Sequence, residues 1–232
     1  MIIGHIGVRK GSKGVPGKNF KSFCGRPLID WSLDQLLENK RIDCVVVSTD
    51  DADILAHAVK RGAFDMGLRP DELATDAAGK FGVWKHALGV VEDKCGAAEV
   101  FIDIDATSPM RIMADIDGAL DLFLKERPDM VMNVAEAEKN PYFNLLEADA
   151  SGALHVSKSL PGGVVARQQA PKVFEHAAAT YVLDPAYLKR ASGLFEGRVL
   201  PHIVPSERSV DIDSPIDFKI AEFLMSERLA GR

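Results

Sequence analysis

Short runs of β-branched and aliphatic residues alternate along this chain with segments whose apolar positions recur every three or four residues. The runs cover residues 2–8, 44–48, 100–104, 130–134 and 180–183, and each reads as a strand buried on both faces. Between them, residues 27–39, 51–61, 82–93 and 114–126 carry the helical period, as in Ile54, Leu55, Ala58 and Val59. Strand runs interleaved with helical segments predict a three-layer α/β/α fold around a mostly parallel, Rossmann-like sheet. Residues 214–229 predict a closing helix, with Ser214 as N-cap and Pro215 at the first helical position.

The rhythm breaks over residues 140–171, where Gly152, Pro161, Gly162 and Gly163 separate short extended pieces at 142–147 and 153–156. This segment predicts an inserted β-hairpin arm, a dimer contact or substrate lid within one domain spanning 1–232. Length supports one α/β domain: 232 residues with 47% hydrophobic content bury a sizeable core but do not make two full domains and a linker. No apolar run reaches membrane-spanning length and no signal-peptide pattern opens the chain, so the expected location is the cytosol. Cys24, Cys44 and Cys95 are far apart and form no CxxC pair, which argues against a disulfide framework or a zinc ribbon.

The net charge is −6, which disfavours nucleic acid or an anionic membrane as partner. Against that background, residues 9–21 hold five basic residues in thirteen, compared with 28 Lys and Arg in all 232. The segment runs Arg9-Lys10-Gly11-Ser12-Lys13-Gly14-Val15-Pro16-Gly17-Lys18-Asn19 and directly follows the first strand. It is neither a P-loop, since Gly17-Lys18 leads into Asn19, nor a G-x-G-x-x-G turn. A solvated basic turn would have the same composition, but its place after strand one favours a polyphosphate cradle, with backbone N–H groups and the charges of Arg9 and Lys18 around the anion.

Two Asp-x-Asp pairs add candidate chemistry. Asp211 and Asp213 flank Ile212, and in extended chain residues i and i+2 share a face, so both carboxylates are able to meet one Mg²⁺ that also binds phosphate oxygens. Helix capping is the competing use of these residues. Asp103 and Asp105 repeat the spacing at the end of a central strand, where two acids need a partner or a ligand, so either pair is a candidate metal site. The six histidines have no metal-ligand spacing and, with Trp31 and Trp84, read as structural, His176 being the one that borders the region near Arg167.

Taken in order, these segments resemble the acylneuraminate cytidylyltransferases, the CMP-sialic acid synthetases and their legionaminic acid relatives, along nearly the whole chain. The family's A-R-x-x-S-K-G-x-x-x-K-N opening is similar to Val8–Asn19, with only the first position changed. Its V-S-T-D strand end is similar to Val47–Asp50, and R-P-x-E-L-A-x-D to Arg69–Asp76. T-S-P-L-R is similar to Thr107–Arg111, R-Q-x-x-P to Arg167–Pro171, and S-x-D-I-D to Ser209–Asp213. The resemblance implies a cytidylyltransferase that joins CMP from CTP to the anomeric 2-hydroxyl of an acidic nine-carbon 2-keto sugar, with Mg²⁺ as cofactor and a homodimer as the assembly.

By the same resemblance Arg9, Ser12, Lys13, Gly14, Lys18, Asn19, Arg69 and Lys80 contact the nucleotide, Arg9 and Lys18 at its phosphates. Asp211 and Asp213 hold the metal and, with Arg9 and Lys18, make up the catalytic set. Asp105, Thr107, Ser108, Arg167 and Gln168 contact the sugar, Arg167 at its carboxylate. Which group takes the hydroxyl proton stays open between Asp105 and a metal-bound hydroxide.

Two departures bear on the sugar. Asp105-Ala106 stands where sialic acid enzymes carry Gln-Pro, and Ala177-Ala178-Ala179 where they carry Asn-Gly-Ala, which points away from ordinary N-acetylneuraminate, while Asp103–Pro109, Asn140–Asn144 and Ala170–Val173 look closer to the legionaminic branch. A synthetase for an eight-carbon sugar acid would open on Y-G-S-x-R-x-P-G-K, which this loop lacks. A non-catalytic nucleotide-sugar sensor is the other alternative, against which Arg9, Lys18, Asp211 and Asp213 all being present speaks.

Overall fold

The computed structural model describes residues 1–11, 14–75 and 77–231. Its main sheet has six strands in the order β10-β6-β9-β5-β1-β4. These are β1 (Ile2–Gly7), β4 (Cys44–Ser48), β5 (Val100–Ile104), β6 (Met130–Glu136), β9 (Phe174–Leu183) and β10 (Val199–Ile203). β1 runs parallel to β4 and β5, and β10 parallel to β6. β9 runs antiparallel to both of its neighbours, the one reversal in this mostly parallel sheet.

Side-chain alternation sorts the strand residues into two layers. Ile6, Val47, Ile102, Ile104 and Val182 face one cluster, packed under α1 (Leu28–Glu38), α2 (Ala52–Arg61) and α4 (Met113–Glu126). Ile3, Val46, Phe101, Met132, Tyr181 and Leu183 face the other, under α3 (Lys80–Cys95) and α5 (Pro185–Arg190). A third cluster joins Val15, Phe23 and Leu28 to Ile212 and to Phe218, Ala221 and Met225 of α6 (Pro215–Leu229). That cluster sits directly behind the basic loop.

Helix ends follow local chemistry. Asp51 accepts hydrogen bonds from the N–H groups of Asp53 and Ile54 at the start of α2, and Gly62 at φ 114° closes it. Ser214 and Asp217 form a reciprocal capping box at the start of α6, with Pro215 in the first turn, as the sequence predicts. The six-residue α5 and the edge strand β10, which carries Pro201, were not legible in the pattern. A small hairpin, β2 (Ser22–Phe23) with β3 (Arg26–Pro27), leads into α1. Within 140–171, β7 (Leu146–Ala148) and β8 (Leu154–Val156) form a two-stranded antiparallel hairpin outside the main sheet.

β9 begins at Phe174, six residues before the expected start of the strand, because its register against β6 slips. Met132 pairs with Tyr181 and Val134 with His176, so residues 177–180 bulge out of the ladder. The bulge supplies carbonyls rather than a ladder: Ala179 O accepts from the Asp105 N–H at 3.3 Å, and Ala178 O from the Ser108 hydroxyl at 3.2 Å. Ala178 takes a left-handed φ of 41° there, at the position where the resembled family carries glycine. Ala178→Gly should relieve roughly 1–2 kcal/mol of backbone strain, less ~0.5–1 kcal/mol of added chain entropy in the unfolded state. The expected result is a melting temperature higher by up to about 6 °C in a thermal scan.

Candidate active site

β1, β4 and β5 open their carboxyl ends on one edge of the sheet, the location where α/β folds bind ligands. A cleft of about 250 Å³ lies there. The basic loop contributes Arg9, Gly14, Lys18 and Asn19, the turn after β5 contributes Asp105 and Thr107, and the segment before α6 contributes Asp213. Residues more than a hundred positions apart thus share one wall. Lys18 Nζ is 3.9 Å from Asp213 Oδ1 and donates to the Ile212 carbonyl at 2.5 Å.

The loop is held in this position by close contact. A Cβ on Gly14 would lie 1.8 Å from the Asp213 carbonyl oxygen, so only glycine fits. Asn19 is buried and donates to the Arg9 carbonyl at 3.1 Å, and the Lys10 N–H donates to Asp50 at 2.8 Å. Ile212 is buried in the third cluster, and its N–H donates to the Thr107 carbonyl at 2.9 Å, which ties the Asp211–Asp213 segment to the β5 turn. Ser12 and Lys13, also expected in the nucleotide site, lie outside the described residues.

The aspartates differ in environment. Asp213 is 82% exposed at the cleft, while Asp211 is largely buried, and burial pushes its pKa up despite a hydrogen bond to the Thr107 side chain. Asp211 Oδ1 has no hydrogen-bond partner among the described residues. A buried carboxylate oxygen without a partner next to an exposed carboxylate is a donor set of hard oxygens that fits Mg²⁺, which usually takes only one or two protein carboxylates beside phosphates and water. No cluster of three or more His, Cys, Asp or Glu able to hold a metal occurs among the described residues.

Asp103 and Asp105 do not offer a second such site, because both are already paired. On the α3 side of the sheet, His5 Nδ1–H donates to Asp103 Oδ1 at 2.6 Å, across the β1–β5 register that aligns these two residues. Lys80, at the start of α3, reaches Asp105 at 2.5 Å and Asp103 at 3.5 Å, and its ammonium lies 4.5 Å from the Tyr181 ring centroid. Burial alone would raise the Asp103 pKa, but Lys80 and His5 outweigh it and hold Asp103 below the usual carboxylate range. Asp105 is pushed up to about 6 by burial, with Asp103 and Asp211 adding to the shift and Lys80 opposing it. Burial works against the Lys80 charge, yet Asp105 and Asp103 keep its pKa above the ordinary lysine value.

A second hollow of about 230 Å³ adjoins the first through Gly7, Val8, Arg9 and Asp105. Its inner surface is made by His5, Arg69, Ala78, Lys80, Val83 and Trp84. Arg69 is buried and donates through Nε to the Ser48 hydroxyl at 3.0 Å and through Nη2 to the Ser48 carbonyl at 2.5 Å. Burial lowers its pKa, with Asp50 and Asp103 opposing the shift.

The remaining expected residues lie elsewhere. Ser108 is fully buried and supports the β9 bulge. Arg111, also buried, donates to the carbonyls of Asp105 at 3.2 Å and Ala179 at 2.7 Å, to Ser32 Oγ at 2.7 Å and to Gln35 at 2.9 Å. It fixes the turn that carries Asp105 and Thr107. Arg167 and Gln168 line a separate hollow of about 280 Å³ at the root of the arm, with Arg167 bonded to the Glu138 carbonyl, so this chain alone does not bring them to the cleft. His5 was missed by the sequence reading. The available signal was a polar residue inside an apolar strand, matched by the lone charged residue, Asp103, within Val100–Ile104.

A basic glycine loop after the first parallel strand, meeting Asp213 in a cleft at the strand ends with Asp211 buried behind it, defines a nucleotidyltransferase-like α/β protein. The chain belongs to the cytidylyltransferase family, whose model matches residues 3–200, and is a nucleotidyltransferase. It is 34% identical over 229 residues to "Post-translational flagellin modification protein B" of Campylobacter coli, covering 98% of this chain and 96% of that protein. It is 34% identical over 226 residues to the CMP-N,N'-diacetyllegionaminic acid synthase of Campylobacter jejuni, covering 97% of this chain and 95% of that enzyme. The solved structure of CMP:2-keto-3-deoxy-manno-octonic acid synthetase complexed with CTP matches with a TM-score of 0.71 at 15% identity, covering 98% of this chain and 99% of that one. At that identity the likeness bears on the fold.

Gly14→Ala tests the clasp between the loop and the Asp213 backbone. Forcing the two segments apart should cost about 1–3 kcal/mol, read as a lower midpoint in urea with an unchanged slope.

Proposed function

We propose that this chain transfers CMP from CTP to the anomeric 2-hydroxyl of a nine-carbon 2-keto sugar acid of the legionaminic type and releases pyrophosphate. The observation that carries the reading is the convergence of Lys18 and Asp213, 3.9 Å apart, on one cleft at the strand ends. The activity named for the Campylobacter jejuni relative, similar over nearly its whole length, supports the sugar class, as does Asp105 in place of the glutamine of sialic acid enzymes.

In this mechanism the glycine loop, Arg9 and Lys18 bind the triphosphate and stabilise the pyrophosphate as it leaves. Asp211 and Asp213 would hold Mg²⁺, which when bound neutralises charge on the phosphate oxygens. The 2-hydroxyl oxygen forms a bond to the α-phosphorus in line, the bond from that phosphorus to the bridging oxygen breaks, and the hydroxyl proton passes to Asp105. Positioning and electrostatics supply the rate, with no covalent enzyme intermediate. Arg167 would meet the sugar carboxylate in a homodimer, in which the arm over 140–171, with Leu146, Leu154 and Val165 exposed, packs on the second copy. No helix among the described residues is long and apolar enough to cross a membrane, and the reading assigns the enzyme to the cytosol, where its nucleotide substrate is made.

Pyrophosphate release from CTP and Mg²⁺ with legionaminic, sialic and octulosonic acids in parallel tests the reading. Turnover is expected with the nine-carbon acids, fastest with legionaminic acid, and no release with any of them would overturn it. Asp211→Ala should keep the fold by circular dichroism while lowering turnover at least ~100-fold. Asp105 accepts the proton only as carboxylate, so with its pKa at about 6 the rate should fall as pH drops below 6. The decline approaches about tenfold per pH unit, and the acid limb should be missing in Asp105→Asn.

A further inference from the structure

The fold brings two distant thiols together. Cys44 opens β4, at the edge of the sheet opposite the cleft, and Cys95 is the last residue of α3, the helix that begins at Lys80. Packing and hydrogen bonds lay the end of that helix over the start of the strand. Cys44 packs against the second cluster, which holds Val91, one turn before Cys95 on the same face of α3. Lys94 donates to the Asp65 carbonyl at 3.5 Å and lies 5.5 Å from the Phe64 ring centroid, while the Phe64 N–H donates to the carbonyl of Val45, next to Cys44, at 2.7 Å. Between the two cysteines themselves there is a side-chain hydrogen bond. Cys24 sits elsewhere, in the turn between β2 and β3, where its thiol donates to the Glu222 carbonyl at 3.5 Å.

The paired thiols differ in reactivity. Cys95 is exposed and open to a small oxidant. Cys44 is half-buried, and burial, with Cys95 and Asp43 adding to it, pushes its pKa up to about 11, so it holds almost no thiolate at neutral pH. The thiolate is the form that attacks an oxidant, which gives Cys95 the first step. An exposed thiol alone passes through sulfenic acid to irreversible acids, whereas a neighbouring thiol stops the sequence at a disulfide. Nothing in the transfer chemistry uses either residue.

We propose that Cys95 is an oxidation site for hydrogen peroxide and Cys44 its resolving partner, the two closing a reversible disulfide between α3 and β4. The Cys95 thiolate sulfur bonds to one peroxide oxygen, the O–O bond breaks, and the departing hydroxide takes up a proton, leaving Cys95 as sulfenic acid. The Cys44 sulfur then bonds to the Cys95 sulfur, the S–O bond breaks, and the hydroxyl lost from Cys95 leaves as water with the Cys44 thiol proton. Two thiols and one peroxide give one disulfide and two waters, the sulfurs losing the two electrons that the peroxide gains. In a reducing compartment such a bond is transient, formed under oxidant and opened by thiol exchange. The inference is independent of the transfer reading, because the pair lies across the sheet from the cleft.

Peptide mapping tests it. The full chain, reduced and then freed of reductant, is exposed to a few equivalents of hydrogen peroxide, alkylated in denaturant, and mapped by mass spectrometry after proteolysis. Of the three free thiols, only Cys24 should still take the alkyl label. The peptides carrying Cys44 and Cys95 should appear joined, about 2 Da below the sum of their reduced masses. The chain should run as a monomer on a non-reducing denaturing gel, and dithiothreitol should restore all three thiols. In Cys44→Ser, Cys95 should persist as sulfenic acid, trapped by dimedone at least ~10-fold more than in the wild type. In Cys95→Ser, Cys44 should keep its thiol at the same dose. Should either variant fail to fold, the wild-type map decides by itself. The proposal is overturned by a wild type in which Cys95 reaches sulfinic or sulfonic acid while Cys44 stays alkylated, in which the disulfide involves Cys24 or joins two chains, or in which all three thiols survive.

Discussion

The clasp between the glycine loop and the segment before α6 is the constraint on which the cleft depends. Gly14 abuts the Asp213 carbonyl, and the Lys18 ammonium donates to the carbonyl of Ile212, so two pieces of chain nearly two hundred residues apart meet at the backbone of the segment before α6. The apolar anchors Val15 and Ile212 bury in the same cluster with Phe218 of α6, which makes the contact a matter of packing. Charge then follows geometry: once the backbones touch, the Lys18 ammonium and the Asp213 carboxylate have to face the same space.

Behind the cleft, strand alternation does a comparable job. His5 and Gly7 on β1, Ser48 on β4, Asp103 and Asp105 at the end of β5, and Tyr181 on β9 all project toward α3, because each is an even number of positions from a residue of that layer. Polar residues spaced by two on adjacent strands thereby become one network with Lys80 at its centre. Two shielded carboxylates held by a part-exposed ammonium are weak evidence of stability, since desolvation of the acids offsets most of the attraction. A lone Asp105 in that setting would be worse, and Lys80 is what makes the acid tolerable. Asp105 and Lys80 are therefore better understood as one feature than as two separate residues.

Much of this architecture was legible in the sequence, for physical reasons that also explain the gaps. β1, β4 and β5 are buried on both faces, so they read as unbroken apolar runs, and the capping box at Ser214 announces α6 directly. The direction of a strand leaves no trace in such a run, and the antiparallel sense of β9 was invisible for that reason. β10 is a half-exposed edge strand containing Pro201, tolerated there because only one side of it is paired, and it lacks the apolar density that marks a central strand. The basic loop and the Asp211–Asp213 pair were found by composition and spacing, but their meeting depends on chain geometry that no local pattern encodes. Arg167 shows the converse: its motif is intact, yet its position at the arm root puts it in a different hollow from Lys18 within one chain.

The bulge in β9 links these observations. Residues 177–180 leave the β6 ladder, and their carbonyls turn to the Asp105 N–H, the Ser108 hydroxyl and the Arg111 guanidinium. Arg111, with its donors divided between the Asp105 and Ala179 carbonyls, Ser32 and Gln35, locks that turn against α1 as well as β9. The turn therefore has little freedom to adjust, and the left-handed strain at Ala178 is retained because every neighbouring bond favours it. In the proposed transfer, where Asp105 takes the hydroxyl proton, this rigidity keeps the acid placed between Lys80 and the cleft wall of Thr107 and Asp213, and a shift of about 1 Å at such a site costs orders of magnitude in rate. Strain in the bulge, which bonds directly to the Asp105 N–H, is thus part of how the cleft is kept in shape.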